Sequence, residues 1–493
     1  MRTADVKIVK KNLDILISVG LGERAKADLN LCKHTCSVLM QLANEIKSAK
    51  DPPPRLEPSS DIFVKLKEVL LETFSDTTTE VWSPAMEMGT NLVYKLSSRP
   101  DQFANDLLQG IAAKCFGAAP DGHAPSSGTE NGEAASEAAT GGHEESVRCP
   151  DVVLCRLLAC VGHVGLRQLI YLDVDVYTEM KRLREVAKDE KEKSVKRNKR
   201  KSFSATGSGM ALSVRAAPFE HGACYAPLTS DDSDAERIIH ILDHVVLHED
   251  SILGMMSKIV VEVASKPSVY GSLPVRINAS LSLAKLMLIN EGFCDEHLPL
   301  LFTILDKSSE PVIRSNLVFA MGDLIVRFPN LLAEWTGKIY ALLHDPSQEV
   351  RLCTLKVLSF LILNDLVKVK NQISELAVLV IDADPQVARV SREFFGELGK
   401  KARHTHPSRN TFASYLPFAS VKKGEGTQES PVRLCGNALY NILPDIISHL
   451  SNPNGGIDEE SFHSVMRLLF ACIDKDRQLE GFVDKLCLRF LTV

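Results

Sequence analysis

The sequence predicts an all-α chain, an α-solenoid of stacked helix pairs interrupted by disordered loops. Three observations carry that expectation. Apolar residues recur at three- and four-residue spacing, as in Leu13, Leu16, Ile17 and Leu21 and again in Val64, Leu66, Val69, Leu70 and Phe74. Strand-like alternation bounded by turn dipeptides is nearly absent. A segment around residue 300 repeats itself at a step close to forty residues, the mark of an array whose units bury their apolar faces only against one another.

Three polar stretches divide the chain. Residues 117–149 are Gly, Ala, Ser and Glu with almost nothing to bury and are expected to be a disordered linker. Residues 188–234 open on a charge run, end in an acidic cluster and are expected to be disordered as well. Residues 401–434, polar with Gly and Pro, form a third disordered insertion. The ordered blocks are then 1–116, 150–187, 235–400 and 435–493. Within them Ser60 and Asp61 before Ile62, and Asp234 before Ile238, mark helix starts.

The repeats lie in 272–400. Pro274-Val275-Arg276, Pro311-Val312-Ile313-Arg314, Asp345-Pro346 through Val350-Arg351 and Asp384-Pro385 through Arg389 align on their arginines. The steps from Arg276 to Arg314, Arg351 and Arg389 are 38, 37 and 38 residues. Seven residues after the first three arginines stand Leu283, Met321 and Leu358, and ten after stand Leu286, Leu324 and Leu361; the fourth copy has Gly396 and Gly399 there. Proline lacks a backbone donor and suits the first helical turn, so each Pro opens a helix whose i, i+3, i+7, i+10 stripe is buried. A second apolar run follows, such as Leu298–Leu305 or Trp335–Leu343. Two helices per copy with an Asp-Pro and Val-Arg signature make these HEAT-type repeats rather than armadillo repeats. Two roles fit the signature arginines Arg276, Arg314, Arg351 and Arg389. The favoured one is structural, bridging the preceding turn of a neighbouring copy through carboxylates or carbonyls; the other is a ladder of DNA-phosphate contacts.

Charge and cysteine usage narrow the function. Lys plus Arg total 57 against 63 Asp plus Glu, a net charge of −6, so the chain is not a general polycation and nucleic acid would need a local patch or a partner. The 12 cysteines lie mostly in apolar helical stretches and read as reduced, buried thiols of a nuclear or cytosolic protein. The most apolar stretch, Val152–Val176, is broken by Arg156, His163 and Arg167, so no membrane span is expected.

Candidate chemistry is sparse. Gly20, Gly22 and Ala25 fit a loose G-x-G-x-x-A, but the helical spacing before them argues for a helix end rather than a dinucleotide site. His240, His244 and His248 would share a helix face, yet no acid is placed to complete a catalytic metal site, and Cys32, His34 and Cys36 are too close together for structural zinc. No nucleophile elbow or P-loop occurs. The expectation is therefore no catalytic residue, no cofactor, no metal and no small-molecule substrate. Lys196, Arg197, Lys199, Arg200 and Lys201 form the densest basic cluster, read as a solvated charged tail or as a nuclear-import or DNA-contact patch. Ser430, before Pro431 with Arg433 three residues on, fits the proline-directed pattern of cyclin-dependent kinases and is a candidate phosphosite.

The repeats also carry a resemblance. Ser309–Leu317 with Met321–Asn330, Asp345–Arg351, Leu361–Lys370 and Gly436–Ser448 resemble the D-type HEAT-repeat, non-SMC subunits of condensin, with weaker similarity at Leu13–Gly22, Val81–Pro84 and Ala159–Asp173. Asn364–Lys370 and the Asn437–Pro444 block favour the first condensin over the D-type subunit of the second. Generic HEAT scaffolds such as nuclear-transport receptors or phosphatase regulatory subunits share only the Pro, Val-Arg and Leu positions. The resemblance implies a non-catalytic regulatory subunit whose partners are a kleisin, an SMC ATPase heterodimer, a second HEAT subunit and, within the complex, DNA or chromatin. It implies residence in the nucleus and on mitotic chromosomes, with a cytoplasmic pool in interphase. Because family members are much longer, the chain is expected to be a fragment or an incomplete gene model.

Overall fold

The computed structural model describes residues 6–44, 52–117, 149–203, 231–367, 372–401, 439–450, 457–472, 480, 482–484 and 487. Most of these residues are helical, and the one β contact among them is an isolated bridge between Leu56 and Ser97. The segments 118–148, 204–230 and 402–438, with Ser430, lie outside the described residues, as do most of the expected linker and of the expected insertion at 401–434. The chain divides into two compact units, Met1–Met256 and Ser257–Val493.

The first unit contains α1 (Val6–Lys11), α2 (Leu13–Gly20), α3 (Glu23–Ala27), α4 (Leu29–Leu39), α5 (Asp61–Glu72), α6 (Trp82–Leu96), α7 (Pro100–Phe116), α8 (Asp151–Ile170), α9 (Tyr177–Phe203) and α10 (Asp231–Ile241). Gly20 and Gly22 lie at the end of α2 and the start of α3, as the helical spacing requires. The core is built on Trp82, whose indole N–H donates to Leu70 O at 3.0 Å and whose ring meets Phe74 edge-on at 5.2 Å. Arg156, which the sequence offered as a break in an apolar run, is a buried anchor. Its guanidinium donates to Phe74 O at 2.6 Å, to Thr73 O at 3.3 Å and to Thr79 O, and lies 5.6 Å from the Trp82 ring centroid. A guanidinium can satisfy several carbonyls at once, so one buried arginine on α8 closes the whole α5–α6 turn. The helix Asp151–Glu190 is long and apolar enough to cross a membrane by length and composition, and 67% of its apolar window is buried inside the fold.

Two expectations are corrected here. Residues 188–203 are helix, not disordered: α9 runs to Phe203, carrying Lys196, Arg197, Lys199, Arg200 and Lys201 on its last turns. Low hydrophobicity suggested disorder, but Lys, Arg and Glu are strong helix formers and no Gly or Pro interrupts residues 166–206. Residues 231–234 likewise begin α10, where Asp234, only 2% exposed, pairs with Arg184 of α9 at 2.9 Å. The histidine row is also broken. A π-helical turn, Leu242–Val246, ends α10, so His240 and His244 meet edge-on at 4.7 Å while His248 lies beyond the helix beside Asp250. Among the described residues no group of three or more His, Cys, Asp or Glu could hold a metal ion. The described cysteines are free thiols; Cys32, Cys36, Cys160 and Cys294 are buried, but Cys487 is exposed.

The unit boundary falls within α11 (Ile252–Ser265). The second unit then stacks the repeats: α12 (Leu273–Met287) and α13 (Glu291–Lys307); α14 (Pro311–Arg327) with the short α15 (Pro329–Leu332) and α16 (Thr336–Ala341); α17 (Gln348–Leu363) and α18 (Ile373–Val378); then α19 (Pro385–Lys401), α20 (Leu439–Leu450) and α21 (Glu459–Ala471). Helices α12, α14, α17 and α19 form one layer, each packed on the next. The repeat stripe of Leu283, Met321, Leu358, Leu286, Leu324 and Leu361 is fully buried between them. In the fourth copy Phe394, Phe395 and Leu398 fill the core. Gly399 stands where a leucine is expected because a Cβ there would lie 2.5 Å from Cys472 O, so only glycine admits the backbone at the end of α21.

Candidate functional site: arginine rungs and a basic helix

The signature arginines separate into two kinds. Arg314, near the start of α14, donates from Nε and Nη2 to the Asp345 carboxylate at 2.8 and 2.9 Å, and from Nη1 to Ser308 O at 2.8 Å. Arg351, near the start of α17, repeats the arrangement one copy on. Its Nε and Nη2 donate to Asp382 at 3.1 Å each and its Nη1 to Asp345 O at 3.0 Å. Each arginine therefore ties the turn before its own helix to the corresponding turn of the following copy, 31 residues on. The bridged turn is the one that precedes the first helix of the neighbouring copy, where the carboxylate also shapes the turn.

Each aspartate has a second duty. Asp345 Oδ1 also accepts from Ser347 N at 2.8 Å, and Asp382 Oδ1 from Asp384 N at 2.8 Å, so the carboxylate shapes its own turn before it meets the arginine. The rungs are shielded: side-chain exposure is 12% for Arg314 and 6% for Asp345, 18% for Arg351 and 10% for Asp382. A bidentate pair this protected is strongly coupled, and removing one partner from such a pair costs about 3–5 kcal/mol.

Arg276 and Arg389 do not make rungs. The residue equivalent to Asp345 for Arg276 is Ser308, whose carbonyl accepts from Arg314 as Asp345 O accepts from Arg351, and whose Oγ accepts from Glu310 N at 3.3 Å. Serine offers no carboxylate, and Arg276 makes no ion pair among the described residues. Arg389, 65% exposed, approaches only Glu393 at 3.9 Å. Asp384, aligned with Asp345 in the sequence, instead caps α19 by accepting from Gln386 N at 2.8 Å and Val387 N at 3.1 Å. Asp345 stood in the Asp-Pro signature as a helix start and not as an acceptor, and Asp382 and Ser308 were not singled out by the repeat pattern. A constant separation of 31 residues between each arginine and its aspartate was the available signal.

The basic cluster belongs to the terminal part of α9, whose earlier turns are held by the Arg184–Asp234 pair and by Arg182 on Glu179 at 2.6–2.8 Å. Five residues of one charge sign thus stand in the same helix beyond its docked base. The arginine rungs, by contrast, turn their guanidinium groups into the fold.

Comparison with known proteins shows what the chain is similar to. The family described as Cnd1, non-SMC mitotic condensation complex subunit 1, matches residues 312–493, which hold three of the repeat copies. Condensin complex subunit 1 of Mus musculus is 36% identical over 99% of this chain and 31% of the mouse protein. The Homo sapiens protein of that name is 35% identical over the same shares. The chain thus spans about a third of the length of the curated relatives it matches. Among solved structures, the crystal structure of the S. pombe condensin Cnd3–Cnd2 subcomplex aligns at 11% identity and a TM-score of 0.34 over 98% of this chain and 63% of that one. Along nearly all of its own residues the chain is similar to condensin complex subunit 1, and the family match opens inside the repeats, at the second copy.

Proposed function

We propose that this chain serves as a non-catalytic HEAT-repeat regulatory subunit of condensin, joining a kleisin, an SMC ATPase heterodimer, a second HEAT subunit and DNA to promote mitotic chromosome condensation. The observation that carries the proposal is the 36% identity to mouse condensin complex subunit 1 along 99% of the chain. An array of helix pairs supports it physically, because stacked repeats offer long surfaces for extended partners and act through avidity rather than through bond chemistry. The proposal places the protein in the nucleus and on mitotic chromosomes, with an interphase pool in the cytoplasm.

The test is affinity purification of the endogenously tagged protein from mitotic cells. Two SMC ATPases, a kleisin and a second HEAT subunit in near-equal amounts are expected. Import cargo or a phosphatase core in their place would overturn the proposal. Within it, Lys196, Arg197, Lys199, Arg200 and Lys201 are assigned to nuclear import or DNA contact, and changing all five to Ala is expected to move a tagged protein out of interphase nuclei. Ser430 is assigned as a mitotic phosphosite, which phosphopeptide analysis of mitotic digests tests directly.

A further inference from the structure

The corner where α7 ends and α8 begins holds two half-buried thiols side by side. Cys115 stands in the last turn of α7, and Cys149 stands two residues before Asp151, the first residue of α8. The two helices pack on each other, so residues far apart in the chain meet at this corner. Gly117, with φ +78, ends α7 just after Cys115. Pro150 disfavours helical backbone at Cys149, and its carbonyl accepts from Val153 N at 2.9 Å to open α8. Between these two fixed ends the Cys115 thiol donates to the sulfur of Cys149.

Access and environment set this pair apart from the other thiols. Phe116, next in the chain, and Val152, in the first turn of α8, are 41% and 42% exposed, so the corner opens to solvent. Cys32 and Cys36 of α4 also interact through their side chains, but both are fully buried and no oxidant reaches them. Cys160 and Cys294 are fully buried as well. The two sulfurs at the corner are themselves unequal. Burial first, and then the neighbouring Cys149 sulfur, push the Cys115 thiol up to about 12. Burial also raises Cys149, but the hydrogen bond from Cys115 opposes it. A thiolate at Cys149 keeps a donor beside it, so Cys149 ionises before Cys115.

We propose that Cys115 and Cys149 are a redox-active dithiol that a hydroperoxide closes to an intramolecular disulfide and a reducing dithiol reopens. The Cys149 thiolate attacks the peroxide: an S–O bond forms and the O–O bond breaks. With hydrogen peroxide the leaving oxygen takes up the proton that Cys149 gave up and departs as water. Cys149, oxidised by two electrons, is then a sulfenic acid. The sulfur of Cys115 attacks it, the S–S bond forms, the S–O bond breaks, and a second water carries off the Cys115 proton. The disulfide closes a ring through residues 116–148 and ties α7 to α8, the helix whose Arg156 anchors the turn after α5. Closing so long a ring removes freedom from the unfolded chain and stabilises the first unit. The inference does not rest on the assembly proposed above, since it needs only this chain and an oxidant.

The test uses the full chain, purified under reductant, desalted, treated with hydrogen peroxide and quenched by alkylation. Peptide mapping by mass spectrometry without reduction is expected to find one dominant disulfide, between Cys115 and Cys149 of the same chain. The melting temperature of the oxidised protein should rise by several degrees and return when dithiothreitol is added. The order of attack is read with dimedone, which traps sulfenic acids. Cys115→Ser is expected to leave a dimedone adduct at Cys149, whereas Cys149→Ser leaves Cys115 unlabelled. Recovery of Cys115 and Cys149 as alkylated thiols while other cysteines oxidise would overturn the proposal. So would a dominant disulfide that joins either one to a different cysteine or to a second chain.

Discussion

Two junctions in the second unit share one repeat signature and differ in one acceptor. Between α14 and α17 the arginine meets a buried aspartate through two hydrogen bonds; between α12 and α14 the equivalent acceptor is Ser308. Apolar packing is similar at both, since Leu283, Leu286, Met321, Leu324, Leu358 and Leu361 are all buried. The rung is therefore an addition to a hydrophobic stack and not its cause. A signature arginine announces that a repeat begins, while the residue 31 or 32 positions later decides whether the turns of successive copies are tied together.

That contrast can be broken at its strongest point. Asp345→Ala removes the acceptor of Arg314 and the Asx turn at Ser347, stranding a guanidinium that is 12% exposed. The expected loss is about 3–5 kcal/mol, read as the opening free energy of α14 and α17 amides in native-state hydrogen exchange. Arg351→Met should cost less, about 2–3 kcal/mol, because Asp382 keeps its bond from Asp384 N; the same exchange experiment on α17 and α19 checks it. Ser308→Asp sharpens the comparison by supplying the missing carboxylate. A stabilisation of about 1 kcal/mol is expected, and it should vanish when Arg276→Ala is added, which a double-mutant cycle in urea measures. Arg276→Ala and Arg389→Ala alone should shift stability by no more than about 0.5 kcal/mol.

Much of this architecture was legible in the amino-acid sequence. The 37–38-residue step, the prolines at the helix starts and the Leu/Met stripe carry their own physics, because burial at helical spacing leaves few alternatives. Three features were hidden for identifiable reasons. The charged end of α9 looks unfoldable by hydrophobicity, yet helix propensity and the docking of Arg184 on Asp234 continue it. The choice of Asp382 over Asp384 as rung acceptor depends on which turn faces the neighbouring helix, information that a motif aligned on Asp-Pro does not contain. Arg156 is polar within an apolar run and reads as an interruption until the carbonyls of the 73–79 turn are seen around it. The candidate site shows the same limit. The repeat arginines could be found from spacing, but their division into those that make rungs and those that do not required the acceptors.

The most direct test of the central claim, that the repeat arginines with aspartate partners tie the turns of successive copies and do not grip DNA, is a paired measurement on Arg314→Gln and Arg351→Gln. Stability is followed by urea unfolding, and affinity for a short DNA duplex by titration at several salt concentrations at a temperature where each variant remains folded. The account predicts a clear loss of stability with the DNA affinity and its salt dependence unchanged. Unchanged stability with weaker binding, and a salt slope reduced by about one for each arginine removed, would contradict it.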